Sequence, residues 1–511
     1  MGIGMKLKAR FVDMETGETT ALLHIDDAQD MALREQDRVR IVHEGKTVIA
    51  IVNTSDTVLD RGDVGLLGRA FKFIGPEPGE LIDVNPATRP ESVDYIRKKM
   101  DGIELSTDEI NIIVEDIATR TLSNIELSAY VTSLHINGMN LRETVDLTKA
   151  MVNTGETITF DKGPIFDFHS IGGCPGNKVT LLIVPIVAAG GFLIPKTSSR
   201  AISSAAGTSD IVEVFANVDL DAASLKRITQ DVGGVMAWGG SLNLAPADDV
   251  IIKAEYPLGI DPHAQLLASV MSKKKAVGAD YLLMDIPMGE GTKVKTMDEA
   301  KAYARDFIDL GEKLGMKVEC AITYGGQPVG RAIGPALEAR EAISVLEGAN
   351  APTSVIEKTV SLAGMIFDMG GVYHGEERAK EILSSGKALK KFKEIVAAQG
   401  GNPDIKSTDI KVGEHSVDVL TKKSGYVSRI MNKELVRVAR AAGSPRDKGS
   451  GVVLAKKVGS KVDEGETILT IYADNEQKMQ DALAVAVKLE PVIIEGMVLT
   501  RIPSFTRTIR Q

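Results

Sequence analysis

The spacing of apolar positions divides the chain into stretches of different period. Over residues 1–84 they fall in short β-branched runs: KLKARFVD, TALLHI and the pair VRIVHEGKTVIAIV. Such runs predict strands, and Glu44-Gly45 inside the pair predicts a hairpin turn. DRGDVGLLG then breaks the pattern. Over residues 86–156 the spacing becomes helical, as in Ile110, Ile113, Val114 and Ile117. Ser106 with Glu109 and Ser123 with Glu126 fit the capping box, and Asn140 with Glu143 is its weaker asparagine form. These signals predict a cluster of four helices.

From about residue 158 the order is strand, glycine loop, helix, repeated. TITF leads to the loop 167–178, and FLIPK leads to the loop 197–208 with a helix from Ser209. ADYLLMDIP leads to GEGTK and a helix capped by Thr296 with Glu299, and KVECAIT leads to YGGQPVGRAIG and another helix. This alternation predicts a parallel or mixed sheet flanked by helices, with ligands at the carboxyl ends of its strands. The uncharged run 179–195 has 17 residues. It is shorter than the roughly 20 needed to span a bilayer, and reads as a buried helix followed by a buried strand. After residue 410, short strands with glycine turns and the helix NEQKMQDALAVAVKLEP predict an α+β end domain.

The expected architecture is a multidomain α/β and α+β protein. An N-terminal β-rich domain spans 1–84 and a helical domain 86–156. A central α/β domain spans 158–249 and 279–408, and a C-terminal α+β domain 410–511. Composition narrows the function. The net charge of −10 argues against a nucleic-acid or anionic-membrane binder but leaves room for a small phosphorylated ligand. Two cysteines, Cys174 and Cys320, are too few for a disulfide framework, and the first ten residues lack a signal-peptide apolar core. The expectation is a cytoplasmic protein. No ligand-like spacing suggests a metal, and no cofactor is expected.

Candidate chemistry lies in the loops. In DFHSIGGCPGNK, Gly172, Gly173 and Gly176 let the backbone approach a ligand closely. In TSSRAISSAAGTSD, the hydroxyls of Thr197, Ser198, Ser199, Ser203, Ser204 and Thr208 surround Arg200, a set suited to phosphate oxygens. In KAEYPLGIDPHAQLLASVMSKK, Asp261 stands beside His263, and Ser269 and Lys273 share one helical face. GEGTK ends in Lys293.

HSIGG, TSSRAISSAAGT, SVMSKK and DYLLMDIPMGEGTK resemble the thymidine and pyrimidine-nucleoside phosphorylases, in order and at similar spacing over about residues 86–500. Two departures stand out. The family lysine before the histidine is Phe168 here, and the family arginine that holds the pyrimidine falls near Ala254, beside Lys253. The resemblance, with these changes, implies phosphorolysis of a nucleoside 5′-monophosphate by orthophosphate, AMP foremost and CMP and UMP with it. An ordinary pyrimidine-nucleoside phosphorylase is the alternative. Asp261 is then the proton donor to the base. Gly173, Ser199, Arg200, Ala201, Ile202, Ser203, Ser204, Thr208, Ser269 and Lys293 are the positions that bind nucleotide and phosphate. The resemblance also implies that a segment at about 250–278 joins the helical domain, that this domain forms a homodimer, and that no metal is used. The N-terminal domain would build a larger homo-oligomer.

Overall fold

The computed structural model describes residues 4–201, 204–349, 352–498 and 500. Contacts divide the chain into two compact units, Met1–Glu156 with Asn243–Lys273, and Thr157–Leu242 with Lys274–Gln511.

In the first unit, β1 (Met5–Val12), β2 (Thr20–His24), β3 (Arg38–His43), β4 (Lys46–Ser55), β5 (Asp63–Leu67) and β6 (Leu81–Ala87) close into a barrel in the order β1-β5-β2-β4-β3-β6, with the short helix α1 (Ile25–Asp30) between β2 and β3. Strand β1 runs parallel to β5, with Lys8 opposite Asp63, and antiparallel to β6, with Met5 opposite Val84. The hairpin between β3 and β4 turns at Glu44 and Gly45, with φ of 46° and 79°. Two successive positive φ values suit the right-handed twist of the flanking strands. DRGDVGLLG does not only break the pattern, as the sequence suggested. Its second half is β5, buried at every residue, followed by the helix α2 (Gly68–Ile74). Gly65 is required there, because a Cβ would meet Val12 Cγ2 at 2.9 Å.

Four helices follow: α3 (Ser92–Met100), α4 (Thr107–Ala118), α5 (Asn124–Asn137) and α6 (Leu141–Asn153). All three expected capping boxes form on α4, α5 and α6. Ile110, Ile113, Val114 and Ile117 line the buried face of α4. Arg38 on β3 reaches Glu126 on α5 at 2.5 Å, so the barrel and the helices are tied by a largely buried ion pair.

In the second unit the chain runs through β7 (Phe166–Ser170), α7 (Thr180–Ala189), β8 (Ile194–Ser198), α8 (Thr208–Val212), α9 (Ala222–Val232) and β9 (Gly234–Trp238). The helices α10 (Pro246–Leu258) and α11 (His263–Ala276) belong to the first unit as far as Lys273. Then come β10 (Tyr281–Met288), α12 (Met297–Lys313) and β11 (Lys317–Tyr324). Strand β10 lies between β7 and β11, all parallel, and β8 pairs parallel with β9. The uncharged run forms α7, buried from 180 to 188, and then β8, whose first four residues are buried. TITF is not a strand: the amide of Ile158 donates to the Ala276 carbonyl, and the strand entering the glycine loop is β7, eight residues on. The helix expected from Ser209 starts at Thr208 and has five residues.

A four-stranded sheet (Ala332–Ile333, Gly451–Leu454, Thr467–Ala473, His415–Leu420), whose first strand precedes the helix Pro335–Leu346, and a three-stranded sheet (Lys461–Val462, Gly425–Ile430, Val492–Glu495) pack with the helices Asn432–Ala441 and Glu476–Leu489. Among the described residues, no helix is long and apolar enough to cross a membrane.

Candidate functional site

The parallel strands β7 and β10 place two loops side by side. Strand β7 ends in the glycine loop 171–178, where Gly172, Gly173 and Gly176 have φ of 86°, 88° and 70°. L side chains rarely adopt this conformation. A Cβ on Gly173 would lie 2.6 Å from the backbone nitrogen of Lys293 and 3.1 Å from Thr292 Cα. The GEGTK loop after β10 therefore rests directly on the glycine loop. Thr292 is buried and its hydroxyl donates within the loop, to Gly289 (2.8 Å) or Val294 (2.6 Å), while Lys293 is exposed.

Polar side chains stiffen this edge from beneath. Asn177 donates to Ser170 Oγ and to Asp285 Oδ2, each at 3.1 Å. Asp285 is fully buried, accepts from Thr323 at 2.5 Å and pairs with Lys358 at 2.8 Å. Lys178, also fully buried, closes the loop by donating to the carbonyls of Val329 (3.0 Å) and Ala332 (3.2 Å) and to Glu341 (2.5 Å). Burial pushes the carboxyl of Glu338, nearby, up to about 7 against the pull of Lys178.

The loop after β8 carries the serines. Its shape depends on Asp210 of α8, which accepts from the amides of Ala201 (2.7 Å) and Gly207 (3.0 Å). Gly207 lets the loop double back, since a Cβ there would meet the Ser199 carbonyl at 2.6 Å. Ser199 is exposed, Thr208 is half-buried, and Ser204 Oγ donates to the Ala206 carbonyl at 3.2 Å. Ile202 and Ser203 lie outside the described residues. The Arg200 guanidinium has partners within the protein. It grips Glu213 through two bonds of 2.7 and 2.6 Å and stacks over Trp238 at 4.8 Å. Hydrogen bonds from Arg200 lower the Glu213 carboxyl to about 2, against its partial burial and with help from Lys448. A guanidinium so engaged braces the loop, because a bidentate pair fixes both partners.

In the first unit, α11 presents Ser269 and Lys273 on one face, as their spacing predicts, and both meet the fully buried Asp248 of α10. Ser269 Oγ donates to Asp248 Oδ2 at 2.8 Å, Gln265 donates to Oδ1 at 3.1 Å, and Lys273 lies 2.5 Å from Oδ2. Burial pulls the Lys273 ammonium down, but Asp248 and Asp249 more than offset it and hold it above its ordinary value. Asp261 is exposed just ahead of α11. Sequence reasoning missed Asp248 and Asp210. Each sits in the first turn of a helix, where an aspartate reads as a dipole or capping residue.

Comparison with known proteins agrees with these elements. The family described as "Glycosyl transferase family, a/b domain" matches residues 162–389, its helical bundle domain 93–155, and the "Pyrimidine nucleoside phosphorylase C-terminal domain" 426–490. An AMP phosphorylase from Methanococcoides burtonii is 50% identical over 504 residues, covering 98% of this chain and 99% of the relative. Another, from Thermococcus kodakarensis, is 51% identical over 501 residues, with 98% and 99% covered. A solved anthranilate phosphoribosyltransferase from Thermus thermophilus shares the fold, with a TM-score of 0.52 and 18% identity over 60% of this chain and 100% of its own.

Proposed function

The chain belongs to the AMP phosphorylase family, and we propose that it cleaves AMP with orthophosphate to give adenine and ribose 1,5-bisphosphate. The observation that carries this reading is the seat of the Lys293 loop on Gly173, which joins a glycine-rich anion loop to an exposed lysine at the carboxyl ends of adjacent parallel strands. Such an edge is where α/β sheets bind phosphorylated ligands.

The chemistry assigns the roles. An orthophosphate oxygen attacks C1′ as the bond to the base breaks, with oxocarbenium-like charge on the ribose. Adenine departs poorly as an anion, so Asp261 supplies a proton to it at N7. The exposed Lys293 ammonium meets the 5′-phosphate as a point charge. Gly173, Ser199, Arg200, Ala201, Ile202, Ser203, Ser204 and Thr208 form the oxyanion cradle, with Arg200 contributing through its backbone and its brace on Glu213. Ser269 binds the nucleotide, aimed by Asp248. CMP and UMP follow the same path, because the contacts to the 5′-phosphate do not depend on the base. The helical domain forms a dimer and the barrel adds a second interface. Two free cysteines, Cys174 and Cys320, fit a reducing cytoplasm.

The test incubates the protein with phosphate and each of AMP, CMP, UMP, adenosine, thymidine and uridine, and measures free base. Adenine from AMP, with little from adenosine, is the expected result. Thymidine cleaved faster than AMP would overturn it.

A further inference from the structure

Two lysines without a role in the chemistry above lie together beneath the loop after β8. Lys196, on β8, is 3% exposed, and its ammonium donates to the Thr197 carbonyl at 2.7 Å. Lys274, 1% exposed, donates to the same carbonyl at 3.3 Å and pairs with Asp167 of β7 at 2.8 Å. Two lysine side chains thus share one carbonyl, and the one carboxylate at this point, Asp167, is paired with Lys274.

A buried charge is tolerated only when it is paired. Asp167 can neutralise one of these lysines and not both. The other charged groups of the neighbouring elements are engaged elsewhere: Asp210 of α8 lies 3.7 Å from Arg200 and 3.3 Å from Lys448, and Lys273 of α11 is paired with Asp248, while His169 stands two residues beyond Asp167 on β7. Strand β9 sets Met236 opposite Lys196, and α7 carries no charge. On α9, Lys226 is turned to Asp161 at 3.0 Å, and Arg227 and Asp231 are exposed. Phe168, beside Asp167 on β7, is fully buried and apolar. Burial and the nearby Lys274 ammonium hold Lys196 well below the ordinary lysine range, against the pull of Asp167. What this floor lacks is one more negative charge, and the loop that starts at Thr197 is the one read above as a cradle for oxyanions.

We propose that Lys196 is a positioning residue of this loop and its proton store: it fixes the loop entry through the Thr197 carbonyl, and it takes up one proton when an oxyanion occupies the loop. The proposal rests on the phosphorolysis reading for the identity of the anion. The step is a simple protonation: the neutral amine binds a proton from solvent as the dianion arrives, and releases it when the anion leaves. The bond to Thr197 survives both states, because a neutral amine and an ammonium each donate.

The test titrates the full-length protein calorimetrically with sulfate, an oxyanion whose charge is fixed across the neutral range. Each titration is run at one pH in two buffers of different ionisation heat, which reports the protons exchanged. Wild-type protein is expected to take up as much as one proton per sulfate. The uptake fades toward low pH, where Lys196 is already charged. Lys196→Met should abolish the uptake and weaken sulfate by at least about tenfold, the usual loss for a charge-assisted contact. Lys196→Arg, charged at every pH, should restore binding without the uptake, a rescue that a purely structural lysine would not show. Unchanged uptake in Lys196→Met, no uptake in wild type, or no binding by wild type would each overturn the proposal. If adenine is released from AMP yet no proton is taken up, only this inference fails. If no adenine is released, the function fails and the sulfate result is judged on its own.

Discussion

Gly172 and Gly173 provide a matched pair of substitutions that separates backbone strain from close approach. Their φ values are 86° and 88°, so alanine at either position incurs the same left-handed strain, about 1–2 kcal/mol. Their surroundings differ. A Cβ on Gly172 meets nothing within 4 Å, whereas one on Gly173 lies 2.6 Å from the Lys293 backbone nitrogen, against 3.4 Å for the start of ordinary contact. The neighbour is backbone, so the Lys293 loop must retreat by 3.4 − 2.6 = 0.8 Å. A misplacement of about 1 Å in a positioned group can cost about 10²-fold in rate. Gly173→Ala should therefore lower kcat/KM for AMP by about 10²-fold, while Gly172→Ala keeps most of it. Both should lower the melting temperature, Gly173→Ala more, because overpacking adds about 1–3 kcal/mol to the shared strain. The assay is phosphate-dependent adenine release at varied AMP, with a thermal melt of each variant. Equal losses of activity in the two would refute the reasoning and reduce the glycine pair to a common turn.

Three further outcomes follow from the same structure. Lys293→Ala should weaken AMP by about 10- to 150-fold and adenosine far less, the loss expected for one charge-assisted contact; equal losses on both, in steady-state assays, would remove the 5′-phosphate assignment. Asp261→Asn should reduce adenine release from AMP by about 10²–10⁴-fold, yet spare a 7-methylated purine nucleotide, whose base departs without protonation; a variant that turns over AMP normally excludes the acid role. Glu338 retains its proton up to about pH 7, whereas the unfolded chain loses it near 4.5, so stability should fall as pH rises through that window. At about 1.4 kcal/mol per decade of proton affinity the effect is at most about 3 kcal/mol. Glu338→Gln should remove that part of the slope, and parallel melting profiles for variant and wild type across the window would contradict it.

Much of the fold was legible because local signals and tertiary packing agreed. The three capping boxes fix the starts of α4, α5 and α6, and the uncharged run could bury itself only as α7 and β8. The failures share a cause. Strand β5 was hidden because Gly65 and the three charges of Asp60, Arg61 and Asp63 look like a loop, and only pairing with β1 and β2 makes a strand of it. The strand at Phe166–Ser170 was read as loop because Asp167, His169 and Ser170 are polar, although Lys274 satisfies Asp167 from a distant helix. In the candidate site, residue types were readable and partners were not. Arg200 stands out among the serines, but its pairing with Glu213, thirteen residues on, was not readable. Asp248 and Lys196 carried no motif, since their meaning lies in side chains that sequence keeps apart.

The closed barrel has a consequence for any shortened form of this chain. An open sheet exposes unpaired amides and carbonyls along its outer strands, and these recruit other chains into aggregates. Closure removes that hazard, and β1 provides it, bonded to β5 on one side and β6 on the other. Trimming back past Met5–Val12 would uncover two adhesive edges at once, including the buried β5. A deletion meant to remove this region should therefore excise the six strands together, and a tag belongs ahead of the first strand, where it leaves the ring unbroken.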